Sequence, residues 1–416
     1  MKTSTNSAKG PSSSIMSRLD ELAKISEQAD GLTRRYLSPE HRSANDLLGK
    51  WMATAGMSVR EDAVGNIIGR YEGEQAGLPA IMVGSHLDTV LNAGRYDGML
   101  GVVTGIDCVA SLNRRRVRLP FAVEVIGFAD EEGLRFHSTY LGSRAVAGTF
   151  DAGLLSRTDA DDILMVDAMR GFGLDPDRIQ QAAREPRDVI AYLELHIEQG
   201  PVLEDKGLAV GIVTAIAGAT RLVISIEGLA GHAGTVPMKL RRDALAAASE
   251  CVVAVEKVAT QNSGTVGTVG QVTVSPGATN VIPGEVTFSV DFRSADDPVR
   301  MVALADLHER MCEIASRRNV VISAETVHEA PSVNCSINVM NKIERSIIDE
   351  GLFPFRLPSG AGHDAAAMAD LTDIGMIFIR CKDGVSHHPA ESTTEEDALT
   401  GARLLLNFLQ NFNKQL

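Results

Sequence analysis

Residues 79–86, PAIMVGSH, and residues 121–129, FAVEVIGFA, are short apolar runs of strand-favouring composition, and residues 99–113 between them carry apolar side chains at helical spacing. Strand, helix and strand in that order form a βαβ unit, which predicts two parallel strands in one sheet. Such strands are covered on both faces, and this is why neither run alternates with polar residues. Both runs end in ionisable side chains: His86 and Asp88 follow the first, and Asp130, Glu131 and Glu132 follow the second. Ligands of open α/β sheets gather outside the carboxyl ends of the strands, so these five residues fall where a site is expected.

Upstream of this unit, 14–28 and 41–55 read as amphipathic helices. Residues 1–14 are polar, lack an apolar signal core and are expected to form a disordered tail. Downstream, a second module reads as strand (220–227), helix (237–260), strand (265–275), strand (284–293), helix (298–317) and strand (320–328). That βαββαβ order closes a four-stranded, ferredoxin-like sheet with two helices on one face. From Met340 the alternation of helix and strand resumes. The expectation is therefore a two-domain α/β protein: a mixed-sheet α/β/α domain from 15–217 and 330–416, with the module 218–329 inserted in it.

Composition narrows the function classes. With 416 residues the chain is long enough for two cores, and 44% apolar residues with only 4% aromatics suit helices packed on a sheet. A formal charge of −14 repels nucleic acid and anionic membrane surfaces. No run is long enough to span a bilayer. Five widely spaced cysteines without a CxxC pair indicate neither a disulfide framework nor a thiolate zinc site, and a cytoplasmic location is expected.

The chemistry concentrates in four places. In Gly84-Ser85-His86-Leu87-Asp88-Thr89, followed by Asp97-Gly98, the His86 and Asp88 side chains share a strand face, so the carboxylate is expected to hold one ring nitrogen while the other faces a metal. Asp130-Glu131-Glu132-Gly133 crowds three acids at a strand end, a repulsion that a divalent cation relieves. His196 in LELHIEQG and the pair His387-His388 in SHHP each sit beside an apolar run. His86, Asp97, Glu132, His196 and His387 together offer five ligands, enough for two cations sharing one carboxylate. Two ions about 4 Å apart lower the pKa of a water held between them towards roughly 7. Glu131 is the best candidate to move that water's proton, although spacing alone does not separate Glu131 from Glu132 or His387 from His388. Imidazole with carboxylate suits manganese or zinc, and also cobalt or nickel, better than calcium.

The segments GSHLDTV (84–90), GRYDG (94–98), FADEEGLRF (128–136), LELHIEQGPVLE (193–204), GHAGTVPM (231–238), NVIPGEVTFSVDFR (280–293), SGAGHDA (359–365) and GVSHHPAE (384–391) resemble those of the hydantoinase/carbamoylase branch of the two-metal aminoacylase and carboxypeptidase superfamily. Within that branch they are most similar to allantoate amidohydrolases, with N-carbamoyl-L-amino acid hydrolases and β-ureidopropionase as near relatives. The resemblance implies that His86 and His196 serve one divalent ion, that Glu132 and His387 serve the other, and that Asp97 bridges them. It also implies Glu131 as general base, with Asp88 supporting His86. For the substrate it implies a carboxylate clamp at Arg293, polar contacts from Gln199 and Asn280, main-chain contacts at Gly360 and Ala361, and His363 as a further neighbour. His232 is implied as the oxyanion donor, reaching the site from the partner subunit of a homodimer, with Asn280 and Arg293 on the same side; the inserted module is then a lid and dimerisation domain.

The reaction implied is hydrolysis of a linear ureido C–N bond in a small carboxylate, allantoate first, yielding ammonia, carbon dioxide and ureidoglycine. Hydrolysis of N-carbamoyl-L-amino acids or β-ureidopropionate uses the same clamp. A non-catalytic binding protein on this fold would have lost a ligand or the base, and all six are present. Ser359 lacks the GxSxG elbow of a serine nucleophile.

Overall fold

The computed structural model describes residues 14–413. The tail expected at residues 1–14 lies outside the described residues except for Ser14, which opens the first helix. The chain divides into two compact units. The first runs up to Thr214 and resumes over Cys335–Leu357 and from Gly362; the second comprises Ala215–Asn334 and Pro358–Ala361.

The first unit is built on a mixed sheet. Its strands lie in the order Ser58–Glu61, Ile67–Tyr71, Ala122–Phe128, Ala80–His86, Val189–Ile197, Ile374–Ile379 and Val210–Ile216. The four from Ala122–Phe128 to Ile374–Ile379 are mutually parallel, and antiparallel strands flank them on both sides. Every residue of Ala80–His86, Ala122–Phe128 and Ile374–Ile379 is buried, as the unbroken apolar runs require. Alternate residues of the central strands face opposite layers. Leu195 and Ile379 pack against Gly401 of helix Glu395–Asn411, while the neighbouring Glu194 accepts a hydrogen bond from the Ala365 N–H at the start of helix Asp364–Met368.

Helix Met99–Arg114 is the crossover of the βαβ unit, and its glycines set its depth. A Cβ at Gly101 would lie 2.3 Å from the Leu195 carbonyl oxygen, so only glycine lets the helix lie this close to the sheet. Gly98, just before the helix, has φ +72° and faces the His86 ring at 2.6 Å from where a Cβ would stand.

The first helix ends at Leu22 instead of continuing to residue 28. Arg34, fully buried, takes the carbonyls of Leu22 and Ile25 with its Nη1 and thereby draws the chain out of the helical path.

The second unit carries the expected order around a sheet of four lanes. Two boundaries differ from the sequence reading. The run 265–275 is two strands, Thr265–Thr268 and Val272–Ser275, both antiparallel to Glu285–Ser294. Thr268 pairs with Asp291 and Val272 with Phe288, so four steps on one side oppose three on the other, and the extra residue makes a bulge at 269–271. The first helix of this unit begins at Ala244, not at 237, because the Asp243 carboxylate accepts the Ala246 N–H and caps it there. Ile224, Ile226, Val286, Phe288, Val290 and Phe292 point from the sheet onto helices Ala244–Gln261 and Asp297–Arg318 to form the unit's core.

Among the described residues no helix is long and apolar enough to cross a membrane.

Candidate active site

The carboxyl ends of the four parallel strands each present candidate ligands. His86 ends the first strand, Glu131 and Glu132 follow the second, His196 is the penultimate residue of the third, and the loop after the fourth carries His387. Asp97 lies on the segment that leads into helix Met99–Arg114.

Asp97 is the hub. Its Oδ1 lies 3.1 Å from His196 Nε2 and 3.5 Å from His86 Nε2, while its Oδ2 lies 3.1 Å from His387 Nε2. Glu132 Oε1 is 3.4 Å from the same His387 nitrogen. Each carboxylate oxygen of one buried side chain thus faces a different set of donors, the arrangement a bridging ligand needs. The donor atoms form overlapping groups that could hold metal ions: His86, Asp97 and His196 on one side, and Asp97, Glu132 and His387 on the other. Imidazole nitrogens with carboxylate oxygens are the donor set of a transition divalent ion, and the residues present fit it.

Main-chain contacts orient both buried imidazoles. His86 Nδ1 bonds the carbonyl oxygen of Asp88 at 3.0 Å, and His196 Nδ1 bonds that of Ile197 at 2.8 Å, so in each ring Nε2 turns to Asp97. The Asp88 carboxylate is not the direct partner of His86 that the sequence suggested, since its Oδ1 lies 3.8 Å from Nδ1. It accepts the N–H groups of Glu131 and Glu132 at 2.9 and 3.0 Å and so aims the acidic strand end. The Asp88 carbonyl occupies the place at Nδ1 instead, at 3.0 Å.

Burial and mutual charge set the ionisation of the acids. Burial alone would raise Asp97, but hydrogen bonds from His196, His387 and His86 outweigh it and hold the carboxyl well below its usual range. Burial, then the charge of Glu132, pushes Glu131 well above its usual range. Glu132 rises to about 7 through burial and the charge of Asp97. A carboxyl whose affinity for a proton is raised in this way is better matched to exchanging one with a nearby group than an ordinary surface carboxylate is.

His387 adopts φ +54°, a left-handed conformation that directs its ring back at Asp97, whereas His388 accepts the Ala390 N–H with its Nδ1. The geometry therefore separates two neighbours that spacing left equal. Gln199, also left-handed at φ +57°, places Nε2 at 3.2 Å from Asp97 Oδ2 and 3.1 Å from Ser386 Oγ. His363 is buried edge-on against His196 with 4.5 Å between ring centroids, and its donor atoms group with those of His196 and Glu194.

His232, Asn280, Arg293, Gly360 and Ala361 belong to the second unit. The short strand Gly231–His232 pairs with Val281–Ile282, and Ala233 N–H donates to the Asn280 carbonyl, which brings the His232 and Asn280 segments together. The Arg293 guanidinium is oriented by two hydrogen bonds to Asp291, 2.8 and 3.0 Å, and donates to the Gly360 carbonyl at 2.9 Å.

Sequence reasoning missed three buried polar residues. Glu194 accepts from Ser85 Oγ, Tyr192 Oη and Ala365 N–H, two residues before His196. Asp364 and Glu391 are equally buried. An acid inside an apolar strand, as in LELHI, was the available signal for Glu194, because a charged residue there needs partners.

Residues 82–411 match the model of peptidase family M20/M25/M40. The chain is 47% identical to an N-carbamoyl-L-amino acid amidohydrolase of Geobacillus stearothermophilus, covering 94% of this chain and 96% of that one. It is 39% identical to allantoate deiminase 1 of Glycine max over 96% and 89% of the two chains. Among solved structures, a hydantoinase/carbamoylase family amidase from Burkholderia multivorans superposes with a TM-score of 0.91 at 32% identity, covering 97% and 98% of the chains.

Proposed function

This chain belongs to peptidase family M20/M25/M40, and from that premise we propose that it hydrolyses a linear ureido C–N bond in a small carboxylate substrate, with allantoate as the first candidate. The observation that carries the reading is the division of the two Asp97 oxygens between opposite donor sets, with Glu131 buried beside them.

His86, His196 and Asp97 would hold one divalent ion, and Asp97, Glu132 and His387 the other; manganese and zinc suit these donors. When bound, such ions supply Lewis acidity, polarising a carbonyl and easing the ionisation of water. Glu131 takes a proton from the attacking water at its carboxylate and passes it to the leaving nitrogen. Arg293, held in orientation by Asp291, grips the substrate carboxylate through charge-assisted hydrogen bonds. Gln199 and Asn280 hold the ureido arm, with the main chain at Gly360 and Ala361 beside it and His363 behind His196. His232 donates to the developing oxyanion. Within a cytoplasmic homodimer, His232 would come from the partner subunit.

A second reading has its own support: the Geobacillus relative at 47% identity bears the name N-carbamoyl-L-amino acid amidohydrolase. One panel decides between them. Purified protein loaded with manganese is incubated with allantoate and with N-carbamoyl derivatives of glycine, methionine and phenylalanine, and ammonia is measured. Release from allantoate at the highest kcat/KM is expected; turnover confined to the carbamoyl amino acids defeats the first candidate and establishes the second.

A further inference from the structure

Glu391 follows His387 by one helical turn's worth of sequence, is buried, and spends both oxygens on the site's own loops. Its Oε1 accepts the main-chain N–H groups of Tyr96 and Asp97 at 2.9 and 3.1 Å, and its Oε2 accepts the Ser386 hydroxyl at 2.8 Å. The approach is so close that a Cβ at Gly94 would stand 2.3 Å from the Glu391 carboxyl group. One side chain therefore ties the segment that carries Asp97 to the loop that carries His387.

The direction of the second hydrogen bond matters chemically. A carboxylate only accepts, so the Ser386 proton points at Glu391 and the hydroxyl oxygen offers its lone pairs elsewhere. Ser386 Oγ receives Gln199 Nε2 at 3.1 Å and lies 3.5 Å from Asp97 Oδ2. That Asp97 oxygen is the one on the Glu132 and His387 side. Were the Ser386 proton turned around, it would compete for a lone pair of the bridging carboxylate.

We propose that Glu391 is a positioning residue for one half of the site: it clamps the Asp97 and His387 loops together and, by directing the Ser386 hydroxyl, keeps Asp97 Oδ2 available to the cation held with Glu132 and His387. This rests on the two-cation reading above. The consequence is asymmetric, because the hydrogen bonds of Ser386 and Glu391 reach Asp97 only at Oδ2 and at its main-chain N–H and reach neither His86 nor His196. Loss of the clamp therefore weakens one cation site and spares the other.

The test uses the full chain, stripped with a chelator and titrated with manganese by calorimetry, with metal content checked by elemental analysis. Wild type is expected to take two ions per chain. Glu391→Gln keeps an acceptor for Tyr96 and Asp97 but presents an NH2 group to Ser386, which reverses the hydroxyl; one binding step should weaken by about 10- to 100-fold, the usual range for partners of metal ligands, while the other stays unchanged. Adding Ser386→Ala to that variant removes the misdirected proton and should recover most of the loss. Equal weakening of both steps, no weakening, or a loss indifferent to Ser386 overturns the proposal. A wild type that takes only one ion defeats the two-cation reading and the proposal with it, so the two failures are told apart. Should Glu391→Gln not fold, Glu391→Asp carries the comparison: a smaller loss confined to one step supports the assignment, and a loss in both steps or in neither refutes it.

Discussion

Glu131 and Glu132 are chemically identical neighbours whose surroundings give them different work. Glu132 reaches to within 3.4 Å of His387 Nε2, and Glu131 stays buried in a group with His86 and Glu132 whose donor atoms lie within 4.8 Å of one another. The spacing of residues could not distinguish them, because consecutive residues past a strand end can turn either way, and here the segment is held by the Asp88 carboxylate, which takes both their N–H groups, and by the Tyr140 N–H on the Glu131 carbonyl. The same holds for His387, whose left-handed backbone is invisible in a run of two histidines. Glu131→Gln preserves size and hydrogen-bonding reach but removes the proton carrier. We expect two ions still bound and kcat lower by about 10²- to 10⁴-fold, measured as ammonia release alongside elemental analysis. Near-normal turnover would remove Glu131 from its role.

At the scale of elements, helix Pro39–Thr54 shows how burial couples folding to pH. His41 lies buried in its first turn, stacks on Phe172 with 4.9 Å between centroids, and accepts the Leu37 N–H. Burial, helped by the charges of Arg34 and Arg42, pushes its pKa from 6.5 down to about 3. The folded chain thus keeps the ring neutral where the unfolded chain protonates it, so this residue contributes stability that is present above pH 6.5 and lost as pH falls towards 3. Asp62, raised by burial to about 6, acts in the opposite sense, stabilising the fold as pH falls from there towards its ordinary 3.8. The difference between wild type and His41→Gln isolates the histidine. On going from pH 7 to pH 5 wild type should lose about 2 kcal/mol relative to the variant in urea unfolding, and a difference independent of pH would show that His41 takes up its proton as readily in the fold as in the unfolded chain. Part of the element pattern was legible: apolar runs with strand or helix periodicity predicted the order of elements in the second unit and, in the first, the two leading helices and the βαβ unit, whereas strands such as Ser58–Glu61, Ile67–Tyr71 and Val189–Ile197 were not read. The bulge at 269–271 was not, because both halves of the run favour strand and the extra residue has meaning only against the pairing of Glu285–Ser294.

For the whole molecule, the implied dimer makes a prediction that no single chain can satisfy. If His232 completes the site of its partner, then Glu131→Gln and His232→Ala chains, each inactive alone, complement each other when mixed. A mixed dimer holds one site with both residues intact and one with neither, so random reassociation of equal amounts should return about a quarter of wild-type activity. Mixing without recovery, with mixed dimers demonstrated by differential tagging, would show that His232 serves its own chain or none.

Unaided, the order of residues determined the α/β class, the inserted module and a set of candidate metal ligands, because burying both faces of a parallel sheet demands apolar runs and because acids and imidazoles crowded at strand ends carry a cost that something must offset. The roles within that inventory came with the resemblance, carried by motifs and not by spacing. Folding alone decided that Asp97 turns one oxygen to each donor set, that Asp88 serves His86 through its carbonyl, and that Glu391, some three hundred residues from Asp97, closes the two loops on each other. Those relations depend on which strand ends become neighbours and on hydrogen-bond directions of a few tenths of an ångström, which a linear sequence does not encode in any local pattern.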